Sequence, residues 1–562
     1  MPSVKHLVAA LLTFPPLAMQ AHAQTANLPD AGSILRQIQP VAPPLPAETD
    51  TGLRVTPTAV VKLPPGAPFL VTTIQIVGNK KIDTATLHAL VADGEGKNLT
   101  LADLEQLAAR LTAYYRSQGY PLARAVIPQQ VVRSGIVTIQ VILPRLGKVV
   151  LENRSESKDS LIDSTLQPLK ADQEIHQTSL DHALLLLTDL PGVVLNAALR
   201  PGETNGTSDL LVNATLAKAV SAGATIDNYG NRYTGRERLS SSVAINNPLR
   251  LKLSDMLSVN VLSSGSGMNY GRLAYESVVS GQGTRVGAAV SILNYKLQGS
   301  LEPLLAHGTA QVATLWLRHP FIRQREGNLN GQVQYDHLVL NDHVDASALR
   351  TDRHLDTLSL TLSGDIRDTL MSNAISTASI SQTVGQVTYD NATALQADAA
   401  TANLQGNFSK WNVNLSRLQA FGSAGSLYLT LAGQWANRNL DSSQKMTVGG
   451  SNNVRAYDVG TVSGDTGLAG TIELREELGM LWSGQWQTLA FVDSARVSVN
   501  HSPWSAGINR VSLSGAGIGL NAIWPNQLRA KVTLAVPIGA APALTASVPK
   551  SARAWMEIGS GF

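Results

Sequence analysis

From about residue 219 to the C-terminus, apolar and polar side chains alternate residue by residue in segment after segment. Leu257, Val259 and Val261 alternate with Ser258 and Asn260, and Leu358, Leu360 and Leu362 with Ser359 and Thr361. Leu427, Leu429 and Leu431 alternate with Tyr428 and Thr430, and Ala530, Val532, Leu534 and Val536 with Lys531, Thr533 and Ala535. Successive side chains of a strand point to opposite faces, so each segment predicts one apolar and one polar face. Any one of them would suit a soluble sandwich; the turn-punctuated series is what a membrane-spanning barrel requires. About 340 residues shared among sixteen strands leave about 21 for each strand and its connection, enough for the ~10 that cross a bilayer. The last segment puts Ala554, Met556, Ile558 and Phe562 on one face and Trp555, Glu557, Gly559 and Gly561 on the other. It predicts the closing strand.

Upstream the period changes. Val71–Val77 reads as a strand and Thr84–Val91 as a helix. A longer helix is predicted over Leu101–Ser117, where Leu101, Leu104, Leu107, Ala108, Leu111 and Tyr115 form one apolar stripe. Strands at Leu122–Ile127 and Ile136–Ile142 complete a β-α-α-β-β unit over residues 68–146. A second unit of the same order spans 147–218, with a strand near Val149 and helices near Ser160–Leu169 and Ser179–Thr188. Its remaining strands fall at Val193–Leu199 and Asp209–Thr215. Two such units are a repeat of architecture without obvious identity of sequence. Residues 24–67 contain Pro40, Pro43, Pro44, Pro46, Pro57, Pro64 and Pro65 and read as a linker. Within it, Ser33–Gln39 suits either a short amphipathic helix ending before Pro40 or a tether without fixed structure.

Composition adds a compartment. Lys5, the apolar run Leu7–Met19 and Ala21-His22-Ala23 have the order of a cleaved secretory signal, placing residues 1–23 outside the mature chain. Later residues contain no run of eighteen apolar positions, so no helical span is predicted. The chain has no cysteine and hence no disulfide framework. Its net charge of +3 argues against nucleic acid as a partner. Charged residues make up 15%, against roughly 25% for soluble domains, as a surface facing lipid demands. Catalytic and metal-binding patterns are missing. The eleven histidines are scattered without His-Glu-x-x-His or paired Cys/His spacing, and no Gly-x-Ser-x-Gly elbow occurs. Gly515-Ala516-Gly517-Ile518-Gly519 lacks the last small residue of a dinucleotide loop and reads better as one face of a strand. No enzyme activity, cofactor or metal is therefore expected.

Specific residues carry a resemblance. The run Tyr114-Tyr115-Arg116-Ser117-Gln118-Gly119-Tyr120-Pro121-Leu122-Ala123-Arg124-Ala125, with Pro128-Gln129-Gln130 and Gly135-Ile136-Val137, resembles the first POTRA domain of two-partner secretion transporters, the haemolysin secretion/activation family. Leu184–Val193, Pro201-Gly202 and Gly206–Leu210 resemble the second. Asp227-Asn228-Tyr229-Gly230 with Thr234-Gly235 resembles the start of the family's barrel. Val448-Gly449-Gly450-Ser451-Asn452-Asn453-Val454-Arg455-Ala456-Tyr457 is similar to the signature of its sixth outer loop, and Phe491-Val492-Asp493 to a paired strand motif. Ala456 and Ala495 stand where the family usually has glycine.

The resemblance implies a sixteen-stranded antiparallel transmembrane barrel over 219–562, preceded by two α+β periplasmic POTRA domains and a plug helix. A loop around 448–470 would fold inward. It implies an outer-membrane translocator that recognises one large secreted passenger, haemolysin- or adhesin-like, and exports it without ATP. The site residues it assigns are a lock between Arg455 and Asp493, the loop motif Gly449, Gly450, Val454 and Tyr457, and Phe562 as a signal to the barrel assembly machinery. The guanidinium–carboxylate pair is directional, which suits a lock better than a lysine would. The alternatives are an outer-membrane assembly factor of the same superfamily, whose best-known members carry more POTRA domains, and a passive porin, which needs no such domains.

Overall fold

The computed structural model of the chain describes residues 28–38, 49–55, 66–204, 206–525, 527–539 and 552–561. The signal segment 1–23 and Phe562 lie outside them. Sixteen antiparallel strands, from Val220–Asp227 to Arg553–Gly561, close into one barrel, the expected architecture and count. The seam joins the first strand to the last from Gly223 opposite Gly561 to Asp227 opposite Glu557. Alternation sorts the two faces. Leu358, Leu360, Leu362, Val532, Leu534, Met556 and Ile558 are exposed outward, where lipid replaces water. Ser258, Asn260, Ser359 and Thr383 line a luminal cavity of about 980 Å³. Among the described residues no helix is long and apolar enough to cross a membrane.

The first α+β unit packs Leu104, Leu107, Ala108, Leu111 and Tyr115, on one stripe of the helix Leu101–Ser117, against Ile74, Val137, Ile139 and Val141. Each buried leucine contributes about 1.5–3 kcal/mol. Thr100 and Asp103 cap that helix reciprocally. The strand expected over Val71–Val77 is in fact two. The amides of Thr72 and Thr73 both donate to the Gly135 carbonyl, and there the chain changes partner. Phe69–Val71 pairs with Lys97–Leu99, and Thr73–Val77 with Ile136–Ile142.

The second unit comprises strand Arg145–Asn153, helices Asp159–Leu166 and Gln177–Thr188, and strands Val193–Pro201 and Thr207–Leu216. Its sheet has a fourth member that proline-rich composition did not foretell. Leu53–Val55, from the linker, pairs in parallel with Ala197–Leu199 along the sheet edge. This unit is fastened to the barrel: Asp189 accepts two hydrogen bonds from Arg323 at 2.7 and 2.9 Å, and Ser157 meets Ser254 at 2.6 Å. The first unit touches the second through lighter contacts, among them the amide of Gln177 on the Gly119 carbonyl and the Tyr120 ring edge-on to His176.

Candidate luminal gate

Residues 437–465, between strands Gly425–Ala436 and Thr466–Leu481, form the sixth outward loop and fold back into the barrel. The turn-in ends earlier than the expected 448–470, because from Thr466 onward the chain pairs with strand Gly484–Ser498 and belongs to the wall. Asn453 shapes the tip. Its side-chain oxygen accepts from the amides of Gly449 and Val454 at 2.7 and 2.6 Å, and its side-chain nitrogen donates to the Thr447 carbonyl at 3.0 Å. Gly449 has φ +96°, and a Cβ there would lie 2.4 Å from the Asp458 carbonyl oxygen, so the turn admits only glycine. Gly450 follows at φ +115°. Val454 and Tyr457 are buried in an apolar cluster with Leu489, Phe491 and Leu513 of the wall.

Between those two anchors Arg455 reaches the wall. Its Nε and Nη2 donate to the two carboxylate oxygens of Asp493, each at 2.9 Å, and its own backbone amide adds a third bond at 3.0 Å. Nη1 donates to Glu473 at 2.6 Å, and the guanidinium lies over the Phe491 ring. Arg475 shares Glu473 at 2.8 Å, so the charges are balanced two against two. Burial alone would lower the Arg455 guanidinium, but Asp493 and Glu473 outweigh it and raise it above the ordinary arginine value. The Trp555 indole donates to the Arg455 carbonyl at 2.7 Å, tying the loop to the closing strand. Asp458 adds an ion pair to Arg553 of that same strand at 2.6 Å.

The alanine departures have room. A Cβ on Gly515 would lie 2.4 Å from the Ala456 methyl, so the glycine missing from the loop is compensated by one on the facing wall. Gly517 likewise leaves space for the Phe491 ring. Of the alternate glycines Gly515, Gly517 and Gly519, the first makes room for the loop and the other two for Phe491 and Leu489 of the adjoining wall strand. Ala495 is buried in the same cluster.

Helix α1, Ala31–Ile38, sits inside the barrel, so the helical option for this segment is the one adopted. Ala31, Ile34 and Leu35 pack against Tyr270, Leu293, Leu340 and Phe408 of the wall and Leu440 of the sixth loop. Asp30 caps the helix by accepting from the Ser33 amide at 2.8 Å. One arginine gathers the surroundings. Arg353 donates to Asp30 at 2.9 Å, Asp342 at 2.8 Å and Asp441 at 2.6 Å. These carboxylates belong respectively to the helix cap, the wall and the sixth loop. Their excess negative charge also meets the helix N-terminus, where the Ala31 amide donates to Asp342 at 2.8 Å. Burial alone would raise the Asp441 carboxyl, but Arg353 and Ser443 outweigh it and hold it below the usual carboxylate range. A Cβ on Gly32 would come 2.4 Å from the Ser442 hydroxyl, so helix and loop are in close contact.

Sequence reasoning named Arg455, Asp493 and the loop residues, and the structure brings these together. It missed Glu473 and the whole Arg353 cluster. A signal for Arg353 did exist: if Leu358, Leu360 and Leu362 face lipid, then odd-numbered positions of that strand face the lumen.

The family model described as haemolysin secretion/activation protein ShlB/FhaC/HecB matches residues 206–522, more than half of the chain. The chain belongs to the haemolysin secretion/activation family. The ShlB-type POTRA model matches residues 69–143. The heme/hemopexin transporter protein HuxB of Haemophilus influenzae (strain 86-028NP) is 27% identical over 522 residues, covering 91% of each chain. The outer membrane transporter CdiB of Escherichia coli is 24% identical over 494 residues, covering 84% of this chain and 80% of that one. Among solved structures, CdiB from Escherichia coli matches with TM-score 0.65 at 21% identity, over 90% of this chain and 93% of the other. BamA from Haemophilus ducreyi lacking POTRA domains 1–3 matches with TM-score 0.54 at 14% identity, over 88% of this chain and all of that one, and shares the fold. As a member of this family the chain is an outer-membrane two-partner secretion transporter, with its POTRA domains in the periplasm. The kinship supports secretion, not the assembly-factor alternative.

Proposed function

We propose that this transporter takes one large unfolded passenger from the periplasm through its barrel to the cell exterior, without ATP, catalysis, cofactor or metal. The observation that carries the reading is the double closure of the lumen. A helix and a loop, each held by buried arginine–carboxylate contacts, make a stopper that has to yield, which a passive porin would not need. Arg455, with Asp493 and Glu473, is the lock that sets loop position. Recognition proceeds by β-augmentation, in which an extended passenger segment adds to a POTRA sheet edge. In the first POTRA domain the strand Arg124–Val126 lies at such an edge. Kinship with HuxB makes a haem- or haemopexin-related exoprotein the first passenger to try.

The decisive experiment co-expresses that candidate with and without this chain. Appearance of the passenger in the medium should require the chain; equal export without it would sink the reading. Biogenesis is a separate matter: the barrel sits in outer-membrane lipid, and Phe562 is read by the barrel assembly machinery. Deleting Phe562 should lower surface levels of the folded barrel, measured by heat-modifiable electrophoretic mobility.

A further inference from the structure

We infer that Arg36 of helix α1 and Lys410 of the barrel wall together form a site for a small doubly charged oxyanion, phosphate or sulfate. Bound there, the ion ties the C-terminal half of the helix to the wall and, through Lys410, to the sixth loop. The inference goes beyond the secretion reading, because it concerns what the closed lumen binds and not what passes through it.

Charge is sorted along the helix. At its N-terminal end three carboxylates meet one arginine, Arg353. At the other end the sign reverses. The luminal cavity of about 980 Å³ reaches that end, and Arg36, Arg272, Lys410 and Arg529 line it against one carboxylate, Asp336. Asp336 is already engaged by the Thr314 hydroxyl at 2.7 Å and the Gln334 amide at 2.9 Å. Arg529 has Glu557 at 3.6 Å, and Arg272 lies over the Trp316 ring.

Arg36 and Lys410 have no such partners. Lys410 is only 4% exposed, and its Nζ donates to the Gln444 carbonyl of the sixth loop at 2.8 Å. That carbonyl also accepts from Gln434 at 3.1 Å, so an ammonium with three donors has one neutral, shared acceptor. The Arg36 Nε is buried without a hydrogen-bond partner. Among the described residues neither cation has a carboxylate partner, and the two repel each other. Buried charges are costly unless a counter-charge meets them. One tetrahedral oxyanion answers both needs: the guanidinium fork takes two oxygens and the compact ammonium a third. Thr383, opposite Lys410 in the sheet, and Ser381 put hydroxyls on the same cavity wall, and hydroxyls donate to such oxygens. Two positive charges select a dinegative ion over chloride.

The test titrates the full-length protein in detergent with inorganic phosphate, followed by calorimetry at constant ionic strength in chloride. Wild type should bind one phosphate per chain. Lys410→Gln and Arg36→Gln should each weaken binding about ten- to hundredfold, since each removes a charge-assisted contact. Arg36→Lys, which keeps the charge, should recover most of it. Arg529→Gln, on the same cavity, should bind as wild type. In planar bilayers, replacing chloride by phosphate should make plug-opening bursts rarer in wild type and leave those of Lys410→Gln unchanged. Wild type that binds no phosphate overturns the proposal. So does an equal loss in Arg529→Gln, which would mean a diffusely basic lumen without a site. Should Lys410→Gln fail to fold, Arg36→Gln decides the matter alone, because it leaves the wall intact; phosphate binding at wild-type strength there overturns the site. Export enters none of these readouts, so their failure leaves the secretion reading standing.

Discussion

Two buried arginines hold a helix and a loop inside the lumen, and they differ in what they join. Arg455 lies on the loop and binds carboxylates of the wall, Asp493 and Glu473, which match its charge. Arg353 is fixed on the wall, and two of its three carboxylates, Asp30 and Asp441, belong to the luminal helix and the sixth loop. The first contact positions one element. The second joins helix, wall and loop at a single guanidinium. Because three carboxylates share one guanidinium there, they repel one another and only the arginine holds them together, so removing it does more than delete a bond.

That contrast can be broken in graded ways. Arg353→Ala leaves Asp30, Asp342 and Asp441 facing one another, at a cost of about 3–5 kcal/mol to the docked helix. Conductance in planar bilayers should rise towards that of an unplugged barrel, while the Arg455 contacts keep the loop inside; unchanged conductance would show that the helix is held by packing alone. Arg455→Ala is expected to cost less, about 2–4 kcal/mol, because Arg475 still compensates Glu473. Secretion should fall with barrel insertion intact, and normal secretion would remove the lock from the account. Gly32→Ala forces a methyl against Ser442 and should weaken plug docking by about 1–3 kcal/mol, seen as more frequent conductance bursts. Smallest is Ser33→Ala. It removes the hydroxyl that accepts from the Asp30 amide at 2.9 Å, worth about 1 kcal/mol, and should change burst duration only slightly.

The two arginines were unequally visible in sequence. Arg455 stands in a glycine- and asparagine-rich signature, so a local motif announces it. Arg353 sits among Leu349-Arg350-Thr351-Asp352-Arg353-His354, a charged stretch that reads as a wet strand end. Its partners are 323, 11 and 88 residues away, and nothing local marks any of them. Glu473 was hidden for a related reason. It lies in a strand with Glu476 and Glu477; parity turns both Glu473 and Glu477 inward, and only the height of the loop tip along the wall selects Glu473 for Arg455. The strand Leu53–Val55 is too short for a period to register, and Gly52 acquires its meaning only beside Leu195.

By itself, the sequence determined an alternating membrane barrel and the two α+β units before it, while the count of sixteen strands and the loop signature came with the family resemblance. Period-two alternation, the helical stripe and the turn chemistry are local properties that one chain segment expresses alone. Tertiary structure decided what plugs the lumen, which carboxylates share Arg353, and that the linker lends a strand to the second POTRA domain. Those outcomes depend on charge balance and close approach between segments hundreds of residues apart, and such terms exist only once the barrel has closed around them.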